Sequence, residues 1–264
     1  MMGYTFFMKI LNLSNPFGAP VYHEETVSST MDTARVLAGR NEAHGTVMCA
    51  DFQEAGRGRL NRAWVTDRGE NLIFTILLRY GEFSSIPRAL TLRTGLALSL
   101  ALEDFAPALS GAVKVKWPND IMIGSRKAAG ILAEGDGKNV YIGAGVNLAQ
   151  REFPVEYRSK AVSVFQALPE GMAGFGHDAR FVLLEKILLR LHKEIESPGE
   201  DWRERLLCRL YKKGEIVTFA EGAADSESLI TGTLSGIGPG GELLIVPDDR
   251  TGERAFINGE LRVY

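Results

Sequence analysis

The sequence predicts an α+β fold, in which a mixed or antiparallel sheet flanked by helices is followed by a small β-barrel. Three observations support this fold class. Short apolar runs separated by tight turns crowd the middle of the chain, which is typical of antiparallel or mixed sheets. Leucines at four-residue steps predict core-facing helices. Residues 213–264 are glycine-rich and alternate between apolar and polar side chains, which favours about five short strands.

The elements of the larger part follow from the apolar runs and the residues that interrupt them. Pro16, Gly18 and Pro20 predict an irregular lead-in over residues 1–20. Residues 28–32 offer a helix N-cap, with Ser29 and Thr30 among the candidates, and Pro87 suits the first turn of a core helix. Strands are predicted over 21–27, 46–52, 71–78, 113–117, 121–123, 127–134 and 140–147, and helices after residue 29 and over 87–105, 181–195 and 202–210.

Composition changes near Gly214, and we place a domain boundary there. The larger domain is predicted over 21–212 and the small barrel over 213–264. The barrel strands are predicted over 216–220, 229–235, 243–246, 254–257 and 261–264, with glycine and aspartate turns between them.

Bulk properties exclude several classes of protein. The 264 residues include 30 basic and 33 acidic side chains, and the net charge of −3 argues against a general nucleic-acid binder. Cys49 and Cys208 cannot form a zinc quartet or a disulfide framework, and Cys49 is expected in the core. The four histidines lack paired helical spacing, so no tightly bound metal is expected. Because neither a signal peptide nor a membrane-length apolar run is evident, we expect a cytoplasmic protein without a membrane partner.

Residues 56–64, here called the arginine loop, read Gly-Arg-Gly-Arg-Leu-Asn-Arg-Ala-Trp. Glycines let the backbone approach a ligand closely, arginines match carboxylates and phosphates, and a tryptophan offers a flat stacking face. In isolation, such a loop is more often a solvated basic surface. Its combination with the motifs below favours a loop that closes over an anionic, partly aromatic ligand. The candidate ligand contacts in it are Gly56, Arg57, Gly58, Arg59, Arg62 and Trp64.

Further polar residues stand at the ends of otherwise apolar strands. Lys127 opens a strand beside Ala-Ala-Gly, where little bulk surrounds it. Each such residue also has a plainer interpretation, because lysine side chains reach back to solvent and Pro-Asn-Asp forms good turns. Ser29 and Thr30 are equally suited to capping a helix and to binding a small polar ligand. The strand-end candidates are Lys116, Asn119, Asp120, Lys127 and Asn147.

The common phosphate-binding motifs are absent from the sequence. No Gly-x-x-x-x-Gly-Lys-Ser/Thr run occurs, which argues against a P-loop nucleotidase. Gly56 and Gly58 are followed by Asn61 where a dinucleotide fingerprint needs a third glycine, and Gly143 and Gly145 also stand alone. Both glycine pairs are therefore only weak indications of a dinucleotide-binding site.

Four segments of the chain together resemble the biotin protein ligases, also called biotin–acetyl-CoA-carboxylase ligases, in their order and spacing. These segments are residues 53–64, 116–120, 127–134 and 143–147. Several independent motifs co-occur, and the match runs from about residue 21 to the C-terminus. The resemblance implies a class II synthetase-like ligase domain over 21–212, which binds biotin and ATP, followed by an SH3-like β-barrel.

The resemblance implies a two-step reaction. Biotin and ATP with Mg²⁺ give biotinyl-5′-AMP and pyrophosphate. A lysine of the biotin carboxyl carrier protein of acetyl-CoA carboxylase then attacks this mixed anhydride, which gives biotinyl-lysine and AMP. Two anions, the biotin carboxylate and the ATP α-phosphate, must meet, and positive charge placed between them would stabilise the transition state.

The family roles transfer residue by residue. Lys127, Arg57 and Arg59 match catalytic contacts to the carboxylate and the adenylate, and Asp120 is also a candidate Mg²⁺ ligand. The implied biotin-binding residues are Ser29, Thr30, Met31, Gln53, Gly56, Arg57, Gly58, Arg59, Lys127, Gly130 and Ile131. The implied ATP- or adenylate-binding residues are Arg59, Arg62, Trp64, Lys116, Asn119, Asp120 and Asn147.

Two positions depart from the family pattern. Asn61 stands where the family often has glycine, although asparagine tolerates left-handed backbone, so the loop is still expected to close. Met31 stands where many relatives carry asparagine, which removes a polar side-chain contact. The tail residues 258–260 echo a family Gly-Gly-Glu turn, and no arginine stands just past Tyr264, so an ATP-binding role for the tail is not expected.

Three alternative functions compete with this prediction. Repression would need a winged-helix domain ahead of the ligase domain, and residues 1–20 are too few for one, so DNA binding is not expected. Lipoate and octanoate ligases share the fold but lack the arginine loop and the Lys-Trp-Pro-Asn-Asp segment. A non-catalytic biotin-binding module would lack Lys127 or the loop arginines. Related ligase domains pair through sheet edges, so a homodimer is compatible with the resemblance.

Overall fold

The computed structural model describes residues 8–170, 176, 178–196, 201–222, 229–249 and 252–262. Within these ranges, a large sheet flanked by helices precedes a smaller antiparallel sheet. The large sheet contains β1 (Lys9–Leu11), β2 (Val21–Val27), β3 (Thr46–Gln53), β4 (Leu72–Arg79), β5 (Val113–Lys116), β6 (Asp120–Ile123), β7 (Arg126–Gly135) and β8 (Asn139–Val146). The small sheet contains β9 (Ile216–Glu221), β10 (Leu229–Ile237), β11 (Leu243–Pro247), β12 (Arg254–Phe256) and β13 (Gly259–Arg262). The α-helices are α1 (Thr30–Gly39), α2 (Leu90–Phe105), α3 (Val164–Ala167), α4 (Ala179–Glu196) and α5 (Trp202–Leu207).

The large sheet is mixed, as predicted. Its strand order is β1-β2-β3-β4-β8-β7-β6-β5. Strands β2 and β3 run parallel because α1 returns the chain between them, and the other neighbouring pairs are antiparallel. The α+β fold class is therefore confirmed.

The large sheet buries both of its faces. On one face α1 packs Met31, Ala34 and Leu37 against Met48 and Tyr141. On the other face α2 and α4 supply leucines to the main core, which also contains alternate residues of β4. Since successive strand residues point to opposite faces, burial on both sides explains why β4 is almost entirely apolar.

Most differences between predicted and observed elements lie at their ends. Ser29 is the N-cap of α1, as predicted, and its Oγ accepts a hydrogen bond from the Met31 amide at 3.2 Å. Helix α2 begins at Leu90 rather than at residue 87, because Ala89 has left-handed backbone with φ of 54°. The lead-in, expected to be irregular, contains β1, which pairs with β2.

Helix α5 ends earlier than the predicted residue 210 because the chain pairs with β5 there. The Val115 amide donates to the Arg209 carbonyl at 2.9 Å, and the Tyr211 amide donates to the Val115 carbonyl at 2.9 Å. This segment covers the exposed edge of β5, which would otherwise leave its backbone groups unpaired.

The small sheet packs against the large one close to the end of β5. The indole Nε1 of Trp117 donates to the Gly241 carbonyl at 3.0 Å, and its ring lies 5.9 Å from that of Phe219. The predicted strand 261–264 is found at Gly259–Arg262, and residues 263–264 lie outside the described ranges. None of the helices in the described part of the chain is long and apolar enough to cross a membrane.

Candidate active site

A cavity of about 650 Å³ lies between the arginine loop, the N-terminus of α1, strands β5 to β8 and strand β13. Except for Gly56, every site residue predicted from the sequence lines it. Residues of the small sheet, including Glu260 and Arg262, form part of its wall. A cavity of this size is large enough for a small organic ligand together with a nucleotide.

The Trp64 indole lies directly on two glycines at the floor of the cavity. A Cβ atom at Gly145 on β8 would lie 2.4 Å from the indole ring, and one at Gly130 on β7 would lie 3.1 Å from it. The indole Nε1 is buried and has no hydrogen-bond acceptor among the described residues. The closing tryptophan of the loop is therefore seated on two strands at positions that exclude larger side chains.

The N-terminus of α1 presents a hydrogen-bonded group of neutral polar side chains to the cavity. The Gln53 Oε1 accepts hydrogen bonds from the Thr30 amide at 2.8 Å and from the Thr30 hydroxyl at 3.0 Å. The Thr75 hydroxyl donates to the Thr30 Oγ1 at 2.9 Å. These bonds fix the side chains before any ligand arrives. Thr75 was not predicted, because nothing distinguishes it within its apolar strand.

Met31 gives this polar end an apolar wall. It is buried, and its methyl group lies 3.0 Å from where a Cβ atom of Gly143 would stand. A thioether side chain fills irregular apolar space and is only a weak hydrogen-bond acceptor. Met31 would therefore contact a ligand mainly through van der Waals packing.

The other end of the cavity holds two lysines around one carboxylate. The Asp120 side chain lies 2.6 Å from the Lys127 Nζ and 3.9 Å from the Lys116 Nζ. The hairpin of β5 and β6 places Lys116 opposite Asp120, and β7 places Lys127 beside them. Burial lowers the pKa of Lys116, whose side chain is 5% exposed. This end carries more positive than negative charge and suits anionic ligand groups.

The arginine loop is a short hairpin with a helical tip. Arg57 and Ala63 pair in antiparallel fashion, and the Trp64 amide donates to the Gly56 carbonyl at 2.9 Å. The tip is a 3₁₀ turn over Arg59–Asn61 in which Leu60 has a φ of 57°. The sequence indicates Asn61 as the residue that tolerates left-handed backbone, whereas the structure places that conformation at Leu60.

Each arginine of the loop contacts a different element. Arg57 donates two hydrogen bonds to Asp32 on α1, at 3.0 and 2.6 Å. Arg59 donates to the Asn119 Oδ1 at 3.3 Å. These contacts tie the loop to α1 and to the turn between β5 and β6. The hydrogen bond from Arg57 lowers the pKa of Asp32 below its ordinary range.

The third arginine of the loop joins it to the small sheet. Arg62 donates to both carboxylate oxygens of Glu260, at 3.0 and 2.8 Å, and this contact lowers the pKa of Glu260. Neither Asp32 nor Glu260 was among the predicted site residues. Both pairs bring together residues far apart in sequence, which no local motif could indicate.

Asn119 and Asn147 hold the strand that carries Lys127. The Asn119 Nδ2 donates to the Ile131 carbonyl at 2.7 Å. The Asn147 Nδ2 donates to the carbonyls of Lys127 and Val162, at 3.3 and 3.4 Å. Both were predicted as nucleotide contacts, and their amide groups are used here to hold β7.

A metal ion would need further ligands from outside the chain. In the part of the chain that the structure describes, no group of three or more His, Cys, Asp or Glu side chains is placed to hold one. Asp120, the candidate Mg²⁺ ligand, is already paired with Lys127. A carboxylate between two lysines is a poor site for a third cation, so Mg²⁺ fits this cavity only together with phosphate ligands.

The protein class follows from comparison with known proteins. Residues 24–147 match the model of the Biotin/lipoate A/B protein ligase family. The chain is 30% identical over 199 residues to the biotin–[acetyl-CoA-carboxylase] ligase of Paracoccus denitrificans, an alignment that covers 73% of this chain and 80% of that protein. The chain therefore belongs to the biotin protein ligases, and the resemblance identified from the sequence is confirmed.

Other relatives agree with this assignment. The bifunctional ligase/repressor BirA of Bacillus subtilis is 36% identical over 157 residues, which are 57% of this chain and 47% of that protein. The chain thus aligns with about half the length of this relative. The biotin protein ligase of Aquifex aeolicus, solved in complex with biotin and ATP, matches with a TM-score of 0.74 and 28% identity, over 92% of this chain and 97% of that one.

Proposed function

We propose that this protein is an ATP-dependent ligase that activates biotin as biotinyl-5′-AMP and transfers it to a lysine of a biotin carboxyl carrier protein of acetyl-CoA carboxylase. One observation carries the proposal: the neutral polar end, the lysine pair and the arginine loop line one cavity. The names of the relatives and the biotin- and ATP-bound Aquifex aeolicus enzyme support it. A cytoplasmic location is part of this proposal.

Biotin is assigned to the end of the cavity beside α1. Its ureido group is a neutral donor–acceptor pair, which suits Ser29, Thr30 and the amide of Gln53. Its ring and carbon chain are apolar and suit Met31, while Ile131 would contact them mainly through its backbone, because its side chain packs in the main core. The prearranged bonds between Thr30 and Gln53 reduce the ordering cost of binding.

The lysine end is assigned to the reacting anions. A biotin carboxylate oxygen attacks the α-phosphorus of ATP, the bond from that phosphorus to the bridging oxygen breaks, and pyrophosphate leaves with the electron pair. Charge builds up on the α-phosphate oxygens, where Lys127 and Arg59 would stabilise it. Lys116 and Arg62 would neutralise the remaining phosphates, and Mg²⁺ would enter with them. The flat face of the Trp64 indole would pack against the adenine.

The carrier lysine completes the reaction. Its uncharged amine attacks the acyl carbon of biotinyl-AMP, the bond to the phosphate oxygen breaks, and AMP leaves while the amine loses its proton to solvent. Mixed anhydrides hydrolyse in water, so the arginine loop would protect the intermediate until the carrier arrives.

A calorimetric titration of biotin and then ATP, followed by mass spectrometry, tests the proposal. We expect biotin to bind, a mass equal to biotinyl-AMP to appear, and a purified carrier domain to gain one biotinyl group. Lipoate and octanoate are the matched controls and should give no adenylate. A folded protein that binds no biotin, or that prefers lipoate or octanoate, would overturn the proposal.

A further inference from the structure

Four side chains of alternating charge join three walls of the cavity. Arg57 of the arginine loop donates two hydrogen bonds to Asp32, which also lies 3.5 Å from Arg35 one helical turn further along α1. Arg35 in turn pairs with Glu134 on β7. Asp32 therefore stands at the centre of a network that links the loop, the helix whose N-terminus faces the cavity, and the strand that carries Lys127.

The position of Arg57 makes this network important for the whole loop. Arg57 stands at the stem, where its backbone pairs with Ala63, and the amide of the next residue, Gly58, donates to the Arg62 carbonyl at 2.8 Å. Holding the Arg57 side chain therefore holds both strands of the hairpin against α1. By contrast, Arg59 and Arg62 lie at or beyond the tip.

The ion pair between Asp32 and Arg57 is too exposed to contribute much to stability, which favours a positioning role. The side chains of Asp32 and Arg57 are 46% and 29% exposed. Exposed ion pairs contribute little to folding, so the chain does not need this contact to fold. Nevertheless, the contact between Arg57 and Asp32 is bidentate, which fixes the orientation of the Arg57 side chain as well as its distance.

We propose that Asp32 is a positioning residue that holds the arginine loop closed through Arg57 and thereby sets how long the acyl-adenylate is retained. The retention part rests on the proposed function, whereas the closure part does not. In this assignment, Arg57 acts mainly through Asp32, and Arg59 and Lys127 are left to contact the ligands.

Limited proteolysis tests loop closure without any ligand. Trypsin cleaves after arginine, so cleavage after Arg57, Arg59 and Arg62, followed by mass spectrometry, reports how often the loop opens. In Asp32→Asn we expect these bonds to be cut up to about fivefold faster, in line with the loss of an exposed ion pair. Asp32→Glu keeps the charge and should restore most of the protection.

Asp104→Asn is the matched control, because Asp104 accepts two hydrogen bonds from Arg190, at 2.7 and 2.8 Å, on the far side of the large sheet at similar exposure. It should leave cleavage of the loop unchanged. Equal loop cleavage in Asp32→Asn and the wild type would overturn the proposal, as would equal acceleration in Asp104→Asn.

A second measurement tests retention. The adenylate is formed with radiolabelled ATP, and its formation and its release from the protein are timed separately without carrier. Asp32→Asn should release it several-fold faster while forming it at nearly the wild-type rate, a split that a general structural defect would not give. Equal release rates would overturn the retention part. If the wild type forms no adenylate, the proposed function fails, and the proteolysis still decides whether Asp32 holds the loop.

Discussion

Replacing Gly145 with alanine tests how closely the Trp64 indole must approach the sheet. The added Cβ would lie between 2.4 and 2.6 Å from three indole atoms, whereas ordinary contacts between such atoms begin near 3.4 Å. The indole must therefore move by about 1 Å. Gly145 lies within β8 and pairs with strands on both sides, so the loop will yield rather than the sheet.

The displacement should reduce activity far more than stability. A shift of about 1 Å in a group that positions a reactant can cost about a hundredfold in rate, and we expect that loss in kcat/KM for biotin-dependent pyrophosphate exchange. Gly130→Ala should cost less, because its Cβ would lie 3.0 Å or more from Lys127 and Trp64. Gly135→Ala serves as the control. Gly135 lies on β7, as Gly130 does, and its added Cβ would meet only the Asn139 carbonyl, at 3.5 Å.

A folded Gly145→Ala protein with wild-type kcat/KM would refute this reasoning. Thermal unfolding of the three variants, measured in parallel, shows whether a lost activity reflects the site or the fold. A fall of similar size in Gly135→Ala would also refute it, because that position does not touch the indole.

Three further predictions follow from the site and the core. Lys127→Gln should slow biotin-dependent pyrophosphate release by about 10²–10³-fold, the usual cost of removing one charge-stabilising donor, and a loss below tenfold would contradict its role. Glu260→Gln should lower the Tm at pH 7 by about 1–2 °C, because its partner Arg62 is largely exposed. Since the folded pKa of Glu260 is lowered, this contribution is present above the ordinary carboxyl pKa and is lost as pH falls through the lowered value, so the two Tm curves should merge in acid. Burial raises the pKa of Cys49 to about 12, while Cys208 is exposed. A thiol reagent at pH 8 should therefore label one cysteine in the native protein and two after denaturation. Labelling of two cysteines in the native protein would contradict the burial of Cys49.

The sequence predicted the fold class, and all of its predicted site residues except Gly56 line the cavity. Strands could be read from apolar runs because β4 is buried on both faces, and Ser29 was identified because capping is a local property. The cavity residues were found because the motifs have characteristic order and spacing. Their roles in binding and catalysis stay predictions.

Contacts between distant parts of the chain could not be predicted. Asp32 and Arg57 are 25 residues apart, and Arg62 and Glu260 are 198 apart, so only the folded chain brings them together. The left-handed residue of the loop is Leu60, although leucine has no local preference for that conformation, because the hairpin stem fixes the turn. The start of α2 shifted for the same kind of reason, through the left-handed backbone at Ala89.

The place of β13 in the cavity wall has a consequence for protein synthesis. This strand pairs with β9 and supplies Glu260 to Arg62, yet it comes after all the other strands in the described chain. While a ribosome is still adding residues before Gly259, the nascent polypeptide already contains Lys127, the arginine loop and every strand of the large sheet. It nevertheless has an open gap where β13 will stand. The cavity is enclosed on this side only after translation has passed Arg262 and the strand has paired with β9.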